Sequence, residues 1–448
     1  MKEEITMKKI FYFLAALASM ICLYVVSTHS SALAQDKAAG NADIIALGKA
    51  IFFDANLSIN GTQSCASCHG PQVGFTGPDS LVNAGTVVYQ GALPNHFGNR
   101  KPPASAYAGD SPVLQQVVGG WFGGMFWDGR ATGAVLGDPL AEQAQGPFLN
   151  PLEQAIPDAQ GLCVKVEQAV YAGLFKAVWG AGSLDCTNDV QGVYERIGRS
   201  VAAYERSPEV NPFSSKFDLF WKKAKAAKKD VTKIKCGTGG GGMGGGGMGG
   251  SMGCSGSGTN GWASYRNLGL SDAELQGLAV FNDRAGCSSC HTLTPGSAGY
   301  PLFTDFGYDN IGVPKNPANP FYDMPSEWNP DGENWIDYGL GDYLKSAGYG
   351  PEVYEPQMGK FKVPTLRNVD RRPTTNFVKA YGHNGYFKSL NEIVTFYHWR
   401  AMMGGGCMGG MFPDPEVNQN RATLKMFPMM QIDNIVTFLK TLSDGYTP

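Results

Sequence analysis

GTQSCASCHG, Gly61 to Gly70, sets Cys65 and Cys68 three positions apart with His69 directly behind them. The pattern returns as GCSSCHTL, Gly286 to Leu293, carrying Cys287, Cys290 and His291. A zinc site needs four ligands converging on one point, and nothing in that chemistry makes a histidine follow the second cysteine twice. A thioredoxin-like redox disulfide belongs in a βαβ surround, which the flanking sequence lacks. Covalent haem explains both features. Two cysteines with two residues between them reach the two vinyl groups as thioethers, and the adjacent histidine lies under the iron. The pair of motifs therefore predicts two c-type haems, with His69 and His291 as proximal ligands.

Working outward, a weak internal repeat precedes each motif: LGKAIFFD, Leu47 to Asp54, and LQGLAVFND, Leu275 to Asp283. Both read as amphipathic helices, and SDAE, Ser271 to Glu274, is a capping box opening the second. QIDNIVTFLKTLS closes the chain as a further helix with Ile432, Ile435, Val436 and Leu439 on one face, and SLNEIVTFYHW, Ser389 to Trp399, is another. Gly at 60 and Pro at 27 of 448 residues indicate many loops between these helices.

The N-terminus reads as an export signal: MKKIF, then the apolar run FYFLAALASMICLYVV, then small residues before a cleavage point at Gln35. The competing reading is a retained anchor, since Ile10 to Val26 is nearly long enough to span a bilayer. Removal of residues 1–34 leaves about 410 residues, enough for two core-forming units. No other stretch is apolar enough to span a membrane, so a soluble periplasmic chain is expected. With 36 basic and 39 acidic residues, nothing suggests a nucleic-acid partner. Beyond the two motifs, an oxidising compartment suits disulfides Cys163–Cys186 and Cys236–Cys254, leaving Cys407 over. Two glycine-rich stretches, CGTGGGGMGGGGMGGSMGC and MMGGGCMGGMF, read as solvent loops. Their alternative is soft thioether ligation of Cu(I) by Met243, Met248, Met252, Met408 and Met411.

Further stretches stand in order along the chain: FWDGR (Phe126 to Arg130), EQAQGPFLNPLEQ (Glu142 to Gln154), FNDRAGCSSCH, KFKVPTLRNV (Lys360 to Val369) and YGHNGYFKSLNEIVTFY. With two CxxCH halves, the sequence resembles the bacterial di-haem cytochrome c peroxidase and MauG superfamily. The resemblance implies a mainly α, loop-rich fold of two cytochrome-c-like helical domains, each with one covalent haem. Residues 35–205 would form the peroxidatic domain, 206–261 a linker with the Gly/Met insertion, and 262–448 the electron-transfer domain. It also implies Glu153 as the distal acid–base residue, Gln143 as its companion and Trp127 as the indole between the haems. The residue types suit the chemistry. Peroxide on iron must pass a proton from its inner to its outer oxygen before the O–O bond splits, and a carboxylate in reach can carry it. Arg130 and Arg367 are candidates to pair with haem propionates or to form ordinary salt bridges.

Two places depart from the family pattern. Where activatable peroxidases place a methionine on the second haem, this chain has Tyr397, as MauG-like members do, with His398 the competing ligand. On a helix the two point about 100° apart, so only one can face the iron. His96 lies in the loop that caps the first haem in activatable members and either caps or lines that pocket. The family's calcium asparagine falls near Lys101. Asn99 is then a displaced substitute, with the carbonyls of Val378 and Ala380 completing a calcium set. The expected activity is reduction of hydrogen peroxide to water with electrons from a small cytochrome c or cupredoxin. The alternative is MauG-like oxidation of residues of a partner protein through a high-valent bis-haem state. A plain electron carrier is the third reading, and Gln143 with Glu153 speaks against it.

Overall fold

The computed structural model describes residues 42–237, 254–402 and 411–448. The expected leader, Met243, Met248, Met252, Met408 and Cys407 lie outside the described residues. The chain is mainly helical. Among the described residues, strands are confined to two short antiparallel pairs: Gln115–Val117 with Gly120–Phe122, and Tyr308–Asp309 with Phe361–Lys362.

The sequence repeat is a repeat of packing. Helix Ala42–Phe53 crosses helix Val190–Glu205 at Gly48, where a Cβ would sit 1.8 Å from the Ser200 carbonyl oxygen and 3.0 Å from Tyr204 Cβ. Helix Asp272–Ala279 crosses the terminal helix Ile432–Lys440 at Gly277, where a Cβ would sit 1.9 Å from the Asn434 carbonyl oxygen and 2.9 Å from Phe438 Cβ. Only glycine lets the two backbones approach this closely. Beside each crossing lies the same trio of rings. Phe52, Phe75 and Tyr204 meet edge to face with centroids 5.3 to 6.4 Å apart. Phe281, Phe303 and Phe438 do the same at 5.2 to 6.2 Å. Such T-shaped pairs add about 0.5–1.5 kcal/mol each beyond burial.

Each trio sits within its own apolar core. Leu47, Ile51, Phe148, Ile197 and Val201 surround the first, and Leu275, Leu278, Phe387, Phe396 and Leu439 the second. The capping box forms as expected, Ser271 Oγ accepting from Glu274 N, and Ile432, Ile435, Val436 and Leu439 are all buried. Phe217, Phe220 and Ala224 of helix Lys216–Ala226, together with Val231 and Ile234, also belong to the second core. The described residues 216–236 are thus packed into that half.

Both expected disulfides are present, Cys163–Cys186 and Cys236–Cys254. The halves are joined by buried charge. Arg100 binds Asp128 at 2.5 Å in the first half and Asp337 at 2.6 Å in the second, while Arg367 binds Asp218 at 2.7 Å within the second half. No described helix is long and apolar enough to cross a membrane.

Candidate active site

Each CxxCH motif opens onto its own cavity, one of about 260 Å³ and one of about 300 Å³. Cys65, Cys68 and His69 line the first; Cys287, Cys290 and His291 line the second. These four cysteines stand outside the disulfides. Cys65–Cys68 forms a single helical turn, so its two thiols and the following imidazole project from one corner of the chain.

The histidines are held alike. His69 Nδ1 lies 3.2 Å from the Phe75 carbonyl oxygen, and His291 Nδ1 lies 2.9 Å from that of Phe303. A carbonyl partner requires the proton on Nδ1, which leaves the Nε2 lone pair free for a metal. Phe75 and Phe303 both adopt left-handed backbone, φ 58° and 55°. That uncommon conformation turns their carbonyls to the rings. Burial lowers the pKa of His69 to about 4 and that of His291 in the same direction, so both imidazoles are neutral near pH 7. Free thiols, neutral imidazoles and one cavity per motif fit a covalently attached haem in each half.

The distal wall of the first cavity comes from helix Pro139–Leu149 and the turn after it. Gln143, Ala144, Pro147 and Asn150 share the helix face that lines the cavity, and Glu153 joins them. Asn150 Nδ2 donates to Glu153 Oε1 at 3.0 Å. The Glu153 carbonyl accepts from Ala92 N at 2.7 Å, fixing the turn to the loop opposite. Gly91 permits that approach, since a Cβ there would meet the Leu152 carbonyl oxygen at 2.4 Å. Burial raises the Glu153 pKa, while Arg130 and the Asn150 amide oppose the shift. Arg130 lines the same cavity, its guanidinium 3.8 Å over the Phe126 ring and 2.8 Å from Asp128.

Trp127 lines both cavities. It is 8 % exposed, and its indole N–H donates to the Lys101 carbonyl oxygen at 2.8 Å. In the second cavity Tyr397 projects inward from helix Leu390–Met402. Burial, then Cys287, Cys290 and Asp309, raise its phenol pKa. His398, next along that helix, is buried elsewhere with Nδ1 2.7 Å from the Phe427 carbonyl oxygen. His96 packs edge-on against Trp328 with centroids 5.8 Å apart, and its Nδ1 lies 3.0 Å from the Pro94 carbonyl oxygen. Trp328 lines the first cavity, whereas His96 is not among its lining residues. Arg367 lines the second cavity, but two of its contacts go to Asp218.

The residues expected to hold calcium do not fit that ion. The Val378 carbonyl accepts from Asn83 Nδ2 at 3.1 Å, and Asn99 lines the first cavity. Ala380 is buried, and the ammonium of Lys379, between Val378 and Ala380 in sequence, is held by the carbonyls of Val73, Asn368 and Arg371. Two further buried polar groups line the cavities, Glu205 without any sequence signal and His383 as one of the three histidines outside the CxxCH motifs and the leader. Glu205 lines the first cavity with a pKa raised by burial to about 8. His383 lines the second, stacked 3.5 Å from Phe361 with Nε2 lacking a protein partner. Both sit in loops or helix faces where pattern alone cannot separate a cavity from a core.

Residues 42–226 match the family model described as di-haem cytochrome c peroxidase. The chain is 30% identical over 415 residues to the methylamine utilization protein MauG of Paracoccus denitrificans, covering 90% of this chain and 88% of that protein. It is 25% identical over 409 residues to the cytochrome c551 peroxidase of Nitrosomonas europaea, covering 90% and 80%. Among solved structures it is similar to the diheme peroxidase BthA of Burkholderia thailandensis, with a TM-score of 0.66, 28% identity and 90% and 86% coverage.

Proposed function

The chain belongs to the di-haem cytochrome c peroxidase and MauG family, and from that premise we propose that it reduces hydrogen peroxide to water at the first cavity. Electrons come from a small cytochrome c or cupredoxin through the second. The observation that carries this reading is Glu153, a carboxyl group with a burial-raised pKa facing the cavity of the first CxxCH motif. A plain electron carrier has no use for it.

Haem bound by the two motifs supplies the redox chemistry with peroxide. The chain's own residues do the rest. Cys65 and Cys68, and Cys287 and Cys290, anchor the two groups as thioethers, and His69 and His291 offer Nε2 to the metals. Glu153 takes a proton from the inner oxygen of peroxide and returns it to the outer one. Asn150 holds the Glu153 carboxyl in place, and Gln143 borders the same space. Arg130 supplies positive charge to the developing anion. Trp127, bordering both cavities, divides one long electron transfer into two shorter ones. Tyr397, facing the C-terminal cavity, would serve as the second ligand to a metal held there. With His96 outside the first cavity, the resting site is open to peroxide without prior reduction.

Tyr397 favours a second reading, in which the same machinery oxidises residues of a partner protein; three relatives carry the name methylamine utilization protein MauG. An anionic oxygen ligand favours the oxidised metal, whereas a thioether favours the reduced one. Export to the periplasm completes the proposal, supported by two formed disulfides beside four cysteines kept out of them.

The test is haem staining of the denatured protein followed by peroxide consumption with a reduced cytochrome c or cupredoxin. The proposal expects stain that persists after denaturation, loses half its intensity in Cys65→Ala/Cys68→Ala, and donor-dependent turnover. Covalent haem without peroxide consumption would leave the electron-carrier reading.

A further inference from the structure

Two buried lysines stand in the wall between the cavities. Lys101, 8 % exposed, lines both; Lys379, 5 % exposed, lines the second. Lys101 Nζ donates to Thr76 Oγ1 at 3.2 Å and the Pro102 carbonyl at 3.0 Å. Lys379 Nζ donates to three carbonyls, those of Val73 at 2.8 Å, Asn368 at 2.6 Å and Arg371 at 3.2 Å. Every one of these partners is a neutral oxygen.

A ring of backbone carbonyls and a hydroxyl is the kind of donor set that ordinarily surrounds a hard cation. Here the cation at the centre belongs to a side chain. The geometry also explains what it does. Val73 and Thr76 lie in the loop just after His69, while Asn368 and Arg371 follow the segment that lines the second cavity. Lys379 therefore ties the first motif's loop to the second half, and Lys101 ties the same loop to the wall carrying Trp127. A buried ammonium is costly without compensating charge. Both lysines line a cavity that would hold a haem, whose propionates would supply compensating charge.

We propose that the ammonium groups of Lys101 and Lys379 are built-in cations that take the place of a bound calcium ion between the two haem sites. The chain thus couples its halves without a metal that can be removed.

The holoprotein, passed through gel filtration with and without a calcium chelator, tests this by elemental analysis, thermal melting and the haem absorbance spectrum. The proposal expects iron in the ratio of two per chain with calcium far below one per chain. Neither chelator nor added calcium then shifts the melting temperature or the spectrum. Lys379→Gln lowers the melting temperature by several degrees, and added calcium does not restore it. One calcium per chain, or a chelator-induced shift in the unmodified holoprotein, overturns the proposal whatever the variant does. Recovery of Lys379→Gln by the chloride salts of sodium and calcium alike would reflect ionic strength, and recovery by calcium alone would also overturn it.

Discussion

Glu153 faces a cavity, and burial raises its pKa while Arg130 and Asn150 pull it back. Proton acceptance needs the carboxylate. The rate of the peroxide reaction therefore rises with pH through a pKa above the usual carboxylate value and levels off beyond it. Stopped-flow mixing of Glu153→Gln with peroxide should show a rate lower by about 10²–10⁴-fold and no such acidic limb, with both haem bands intact. A surviving limb would move the acid–base role to another group. At Tyr397 the sequence offered two adjacent candidates, and helix geometry separates them. Tyr397 lines the second cavity, while His398 is buried outside that lining with its Nδ1 against the Phe427 carbonyl. Tyr397→Phe should raise the reduction potential of one haem and leave the other unmoved, as read by spectroelectrochemistry. His398→Gln should move neither.

The two glycine crossings are the element-scale counterpart of the sequence repeat. Gly48→Ala and Gly277→Ala each drive a Cβ into a carbonyl oxygen of the facing helix. Each should cost about 1–3 kcal/mol or more, seen as a lower melting temperature of the holoprotein. Gly173→Ala, in helix Ala172–Trp179 with nothing within 4 Å of the added atom, is the control and should be neutral or slightly stabilising. An equal loss at all three positions would contradict the crossing argument. The repeat was readable because glycine, phenylalanine and aspartate recur at matching positions before each motif. Its partners were not. Ser200 and Asn434 are chemically unrelated and meet the glycines through backbone atoms, which leave no mark on residue identity. The left-handed Phe75 and Phe303 were equally silent, because a phenylalanine gives no local signal for that conformation.

Across the whole molecule, buried charge joins the halves, and here the sequence was least informative. Arg100, Asp128 and Asp337 lie 28 and 237 residues apart along the chain and meet only in the fold. Lys101 and Lys379 are similarly separated, so nothing local distinguished them from surface lysines. The haem motifs, by contrast, were legible at once because covalent attachment demands fixed spacing. Arg100→Met leaves buried Asp337 without its arginine and Asp128 with Arg130 alone, and should cost about 3–5 kcal/mol at neutral pH. The pH dependence follows from Asp128, whose pKa is lowered from 3.8 to about 2 by Arg100 and Arg130 against the opposing effect of burial. A depressed carboxylate pKa contributes stability that is full above the unfolded value and lost as pH falls toward the folded one. In urea unfolding, the gap between Arg100→Met and the unaltered protein should be widest at pH 7 and narrow as the pH falls below about 4. A gap independent of pH would mean that Arg100 acts through packing alone.

On the proposed mechanism, peroxide meets an open first site backed by an oxidised second haem carrying Tyr397. Its most direct test is the absorbance and electron paramagnetic resonance of the diferric protein before and after one equivalent of peroxide. The account predicts an immediate, persistent change at both haems with no prior reduction, and loss of that change in Glu153→Gln. A diferric protein that ignores peroxide until one haem has been reduced would contradict it. It would mean that the first site is capped at rest and that the second haem is held by a ligand other than Tyr397.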